Sequence, residues 1–149
     1  MRVVFDTCVW IAAIRSRRGA SFALLSEIPH KRFQFGISVP LFLEYQAKLL
    51  EAVTKGQTQI NRERIETILS ALAFFGTEVS IYYRLRPNLK DENDNMVFEC
   101  AANFGASTII THNVKDFLNP ELKIYEIDIL TPGQFIRKSL GDNYESNTG

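Results

Sequence analysis

KDENDNMVFECAANFGASTIITHNVKDF, residues 90–117, carries the pattern that sets the fold. Met96, Val97, Cys100, Ala101 and Phe104 recur at helical spacing, so one apolar helix face runs through them. Asp91, Glu92 and Asp94 crowd the start of that helix, where the positive end of its dipole favours negative charge. Carboxylates gathered at one point still repel, and a bound cation relieves the repulsion. Gly105 suits a left-handed helix end, and Ser107–Thr111 follows as a short β-branched run that reads as a buried strand. His112-Asn113-Val114-Lys115-Asp116-Phe117 then puts polar groups at the strand's carboxyl end, the edge on which open α/β sheets carry their sites.

Working outward, Met1–Phe5 is an apolar strand candidate that delivers Asp6 at its end, followed by Thr7 and the amphipathic run Cys8–Ile14. Asp6 is either an acid of the same edge or the cap of the helix after it. The basic turn Arg15-Ser16-Arg17-Arg18-Gly19 reads as a solvated loop or as a phosphate-backbone contact beside the Asp6 edge. A second helical run covers Ala20–Ile28 and stops near Pro29. Phe33–Val39 alternates like a strand; Ser38 and Pro40 then open a helix reaching about Val53, with Leu43, Ala47 and Leu50 as its apolar stripe. Glu44 on this helix is either a ligand or a surface charge paired with Lys48.

Asn61–Phe75 predicts another helix, with Ile65, Ile68, Leu69 and Leu72 facing a core. Glu78–Leu85 predicts a strand in which Tyr82 and Tyr83 pack on the sheet, and Lys123–Ile127 predicts the last strand. Thr131 and Pro132 open a short final helix. Alternating strand and helix patterns imply an α/β fold, three-layer α/β/α with a central parallel sheet. One domain over residues 1–140 is expected, with a polar, disordered tail over 141–149.

Seventeen basic and seventeen acidic side chains cancel, so any nucleic-acid contact has to be local. Cys8 and Cys100 lie in apolar surroundings without metal-ligand spacing and read as buried free thiols. No signal-peptide layout or long apolar span is present, which makes a reducing cytoplasm the expected compartment and a membrane partner unexpected. P-loop, GxGxxG and GxSxG patterns are all missing. His30 and His112 are too few for a zinc site. Asp6, Glu44, Asp94 and the Asn113/Asp116 pair, brought together at strand ends and helix starts, offer hard oxygen ligands suited to magnesium or manganese. Such a site activates water against a phosphodiester.

Three stretches, VVFDTCVWIAAI, ISVPLFLEYQAKL and DENDNMVFECAANFGASTIITHNVKDF, in this order, resemble the PIN-domain family over roughly residues 1–130. More narrowly they are similar to the VapC-like toxin branch of toxin–antitoxin pairs. The resemblance implies a Rossmann-like sheet, a Mg2+- or Mn2+-dependent endoribonuclease acting on RNA, a homodimer, and a small antitoxin protein as partner. It implies Asp6, Glu44 and Asp94 as metal ligands and catalytic acids, and Thr7 and Thr111 as supporting hydroxyls. Asn113 stands where many members carry a fourth aspartate; Asp116 is the acid placed to supply the missing charge. Asp91 reads as a cap in preference to a ligand, and Arg15, Arg17 and Arg18 are the candidates for holding substrate. The alternative is a PIN-fold RNA-binding or protein-interaction module with a degraded metal site. A small-substrate magnesium phosphohydrolase is disfavoured, because Cys8 stands where a DxD pair needs its second aspartate.

Overall fold

The computed structural model describes residues 1–83, 89 and 91–141, apart from the side chains of Glu121 and Leu122. Five strands form one parallel sheet: β1 (Arg2–Phe5), β2 (Gln34–Ile37), β3 (Thr77–Glu78), β4 (Thr108–Ile110) and β5 (Asp128–Leu130), in the order β3-β2-β1-β4-β5. Val3, Val4 and Phe5 are consecutive and all fully buried. A strand buried on alternate and intervening residues alike is covered on both faces, as the three-layer arrangement requires. The chain runs from β1 to β2 on one side and from β3 back to β4 on the other, so the strand order reverses between β1 and β4. Asp6 and Thr111 follow those two strands, at the switch point where such sheets open a crevice.

The helices are α1 (Thr7–Arg15), α2 (Ala20–Glu27), α3 (Val39–Thr54), α4 (Arg62–Phe75), α5 (Glu92–Phe104) and α6 (Pro132–Phe135). Local chemistry sets most of their ends. The Ser38 hydroxyl accepts from the Leu41 N–H at the start of α3, with Pro40 in the first turn. Asn61 accepts from the Arg64 N–H at the start of α4. Gly105 ends α5 at φ 70°, a conformation that favours glycine. Thr131 and Gln134 form a reciprocal capping box on α6, which continues into a π-type turn over Ile136–Leu140.

Three expectations need correction. On α3 the buried residues are Leu41, Tyr45, Leu49 and Ala52, whereas Leu43 is 54% exposed and Ala47 is exposed as well. The inward row runs Leu41, Tyr45, Leu49, Ala52 in steps of four, four and three, and it includes a tyrosine because the Tyr45 hydroxyl finds a buried acceptor in the Phe5 carbonyl. The strand expected over Glu78–Leu85 is only Thr77–Glu78; Tyr82 and Tyr83 are exposed, and their N–H groups donate to Asn103 Oδ1 at 3.0 and 3.1 Å. Positions 84 and 85 lie outside the described residues. Over Lys123–Ile127 the chain forms the end of a 3-10 segment, Pro120–Tyr125, and the last strand starts only at Asp128. Ile124 is 78% exposed, so the alternation there does not mark burial. The tail beyond Gly141 also lies outside the described residues. Within them, no helix is long and apolar enough to cross a membrane.

β2 and α5 meet at Gly36, where an added Cβ would sit 2.6 Å from Phe104 Cδ2 and 2.8 Å from Val79 Cγ2. Gly36→Ala is expected to destabilise the protein by ~1–3 kcal/mol through overpacking, measured by urea denaturation. An unchanged midpoint would show that α5 can back away from the sheet without loss.

Candidate active site

Asp6 is 2% exposed, and its N–H donates to the Ile110 carbonyl at 2.9 Å, which locks the end of β1 to β4. Its backbone occupies the N-cap position of α1, yet its side chain makes no capping bond. The carboxylate instead receives three side-chain donors: Asn93 Nδ2 at 3.0 Å on Oδ1, Thr111 Oγ1 at 2.7 Å on Oδ2, and the Cys8 thiol at 3.3 Å on Oδ2. Capping therefore does not account for Asp6. Burial, reinforced by the Asp6 charge, pushes the Cys8 thiol up to about 12, so it is a neutral donor and not a nucleophile.

Asn93 is the residue that sequence reading missed. Its carbonyl accepts from Thr7 Oγ1 at 3.1 Å while its amide nitrogen holds Asp6. Its own N–H is fixed by Asp91 Oδ1 at 2.9 Å, the cap of α5. Asp91, Asn93 and Asp6 thus form one relay from helix start to strand end. The signal was present in the motif, since an amide between two acids in a first turn has few uses on an exposed surface. Thr111 Oγ1, which donates to Asp6, also accepts from the Asn113 N–H at 3.0 Å. His112 turns away from this cluster and bonds Ser21 Oγ through Nε2 at 2.7 Å; burial lowers its pKa, opposed by the Asp6 charge.

Asp94 is 6% exposed and, among the described residues, receives no hydrogen bond and no cation. Burial, followed by the charges of Asp6, Asp91 and Asp116, raises its carboxyl to about 7. Asp116 is exposed, in the 3-10 turn Val114–Phe117, and Asn113 is exposed beside it. Glu44 is half-buried on α3 and is not among the charges that act on Asp94. Lys48 pairs with Glu51 at 3.5 Å, not with Glu44. Arg15 lies eight residues beyond Thr7 along α1, about 12 Å at the helical rise. The basic turn thus begins about 12 Å along α1 from the Asp6 edge.

Among the described residues no three Asp, Glu, His or Cys side chains gather closely enough to cage an ion. Magnesium does not require such a cage, because it keeps several waters and takes only one or two protein carboxylates. A buried Asp94 next to Asp6, without a partner among the described residues, meets that requirement in charge and in donor type.

Residues 2–115 match the sequence family described as PIN domain, and the chain belongs to the PIN-domain family. Its fold is similar to that of a chain in the crystal structure of VapBC2 from Rickettsia felis bound to a DNA fragment from their promoter. The two share 18% identity at a TM-score of 0.56, with 88% of this chain and 98% of that chain covered. Comparison with curated proteins gives no match.

A carboxyl raised from about 4 to about 7 favours the protonated folded state, so its contribution to stability is complete at low pH and is lost as pH rises through that interval. In metal-free buffer the wild type is expected to lose stability relative to Asp94→Asn as pH goes from about 4 to about 7. Melting temperatures of the two proteins across this range test it; parallel curves would mean that neither burial nor neighbouring charge raises Asp94.

Proposed function

We propose that the chain is a magnesium- or manganese-dependent endoribonuclease, and the toxin of a type II toxin–antitoxin pair. The observation that carries this reading is Asp94, a buried carboxylate beside Asp6 that, among the described residues, no protein group neutralises. Asp6 and Asp94 would hold the ion, with Asp116 adding negative charge from the exposed side and Glu44 as a further proposed ligand. A bound divalent ion supplies Lewis-acid stabilisation of the phosphoryl charge and eases deprotonation of the attacking water. Asn93, Thr111 and Cys8 keep Asp6 in one orientation, so that its charge stays where the substrate phosphate arrives. Thr7 fixes the Asn93 amide so that its NH2 faces Asp6.

Membership of the PIN family and the fold shared with the VapBC2 chain support an antitoxin partner and a cytoplasmic setting, and a homodimer is proposed with them. A second reading keeps the fold without the catalysis, as an RNA-binding or protein-interaction module. In its favour, Asn113 carries no charge where the family resemblance places an acid in many members, and no three-acid cage forms among the described residues.

Purified protein given a pool of structured RNAs with Mn2+ or Mg2+ is expected to cleave them. EDTA, Asp6→Asn and Asp94→Asn are each expected to abolish cleavage. At a hundred times its dissociation constant the ion should stabilise the wild type by about 2.7 kcal/mol, and Asp94→Asn by much less. A folded wild type that neither cleaves nor gains stability from either ion would favour the binding module.

A further inference from the structure

The C-terminal end of α1 and the loop 55–61 joining α3 to α4 enclose an open groove of about 630 Å3, walled by Arg15, Arg17 and Arg64. The groove is preformed. Thr58 Oγ1 donates to the Ile14 carbonyl and accepts from the Ile60 N–H at 3.2 Å, which pins the loop to α1. Arg15 Nη2 donates to Gln57 Oε1 at 2.9 Å and is thereby stretched between the two walls. The N-terminus of α4, fourteen residues long, opens at the same place and adds the positive end of its dipole.

No acidic residue lines this groove, and among the described residues neither Arg17 nor Arg64 has an acidic partner. Some exposed cations are paired, Arg62 with Glu66, Lys48 and Lys55 with Glu51, and Lys138 with Asp128, while Arg18, Lys31, Lys115, Lys123 and Arg137 have no acidic partner among the described residues but do not line this groove. What sets Arg17 and Arg64 apart is that they stand together, with Arg15, in one concave place. The lining contains no aromatic side chain on which a base could stack, and its remaining groups are mostly amides and hydroxyls. Protein partners anchor on apolar or aromatic cores; phosphates and sugars need donors of the kind present here.

We propose that this groove grips the sugar–phosphate backbone of the RNA strand, independently of sequence, about 12 Å along α1 from the Asp6 end. The inference rests on the ribonuclease reading and assigns where the strand runs. It changes the expected set of contacts, since Arg18 does not line the groove and Arg64, from a distant helix, does.

The test is binding of a fluorescent, unstructured oligouridylate to the full chain in EDTA, which prevents cleavage, over a range of salt concentrations. Arg17→Gln with Arg64→Gln is expected to weaken binding and to reduce the slope of log Kd against log salt by about 0.7 for each arginine removed. Arg17→Lys with Arg64→Lys is expected to restore the slope, because the charge returns, and Lys138→Gln to change nothing. If the double Gln variant binds RNA like the wild type, the groove assignment fails while RNA cleavage by the wild type can stand. If that variant instead loses only binding to polyglutamate, the groove belongs to an acidic protein and the assignment also fails. A wild type that binds no RNA overturns both the groove and the ribonuclease reading.

Discussion

Burial of the Asp6 carboxylate is the constraint on which the rest of the site depends. An ion taken out of water costs several kcal/mol even after relaxation, and among the described residues no cationic side chain is bonded to Asp6 to offset it. Three neutral donors do that work, and they come from α1, from the first turn of α5 and from the residue after β4. Each arrives only if its element is in register: Val4 opposite Ile109 and Phe5 opposite Ile110 put Thr111 beside Asp6, and the Asp91 cap fixes the turn that presents Asn93. Sheet register and helix capping are thus expressed in the orientation of one carboxylate.

The donors are distributed unequally, and that inequality gives the site its character. Among the described residues Asp6 receives three side-chain donors and Asp94 none, although both are buried. A fold selected for stability alone would satisfy Asp94 or replace it, since an unpaired buried carboxyl is costly. Strong perturbation by burial together with specific neighbouring charges, located in a crevice, is the pattern of functional groups. The crevice lies where the strand order reverses between β1 and β4, so the topology and the electrostatics point to the same place.

Much of this was legible in the sequence because local chemistry and tertiary packing agree. The apolar period of α5, the Gly105 stop and the Ser38, Asn61 and Thr131 helix starts each rest on interactions within a few residues. Misreadings arose where distant partners decide. Tyr45 joins the core because Phe5, far away in sequence, offers a carbonyl, and this turns the α3 stripe away from Leu43. β5 begins at Asp128, not at Lys123, because pairing with Thr108–Ile110 fixes it. Asn93 escaped notice for the same reason, as its partners Thr7 and Asp6 belong to the other end of the chain. The arginines of the first loop were visible as charges, but whether they stand near the acids depends on the length and direction of α1.

Asn113 follows from the same electrostatics. Its N–H supports Thr111, which in turn donates to Asp6, so the position already has a backbone role that any residue but proline could fill. A carboxylate there would add negative charge beside a cluster in which burial, followed by the charges of three acids, already raises Asp94 to about 7. Asparagine keeps a polar group at the edge without that addition, and Asp116, exposed in the next turn, provides charge where water screens it. On the proposed metal-dependent reading, a cation held mainly by Asp6 and Asp94 would need less compensation from this edge, and one firmly held ion would match these residues better than two.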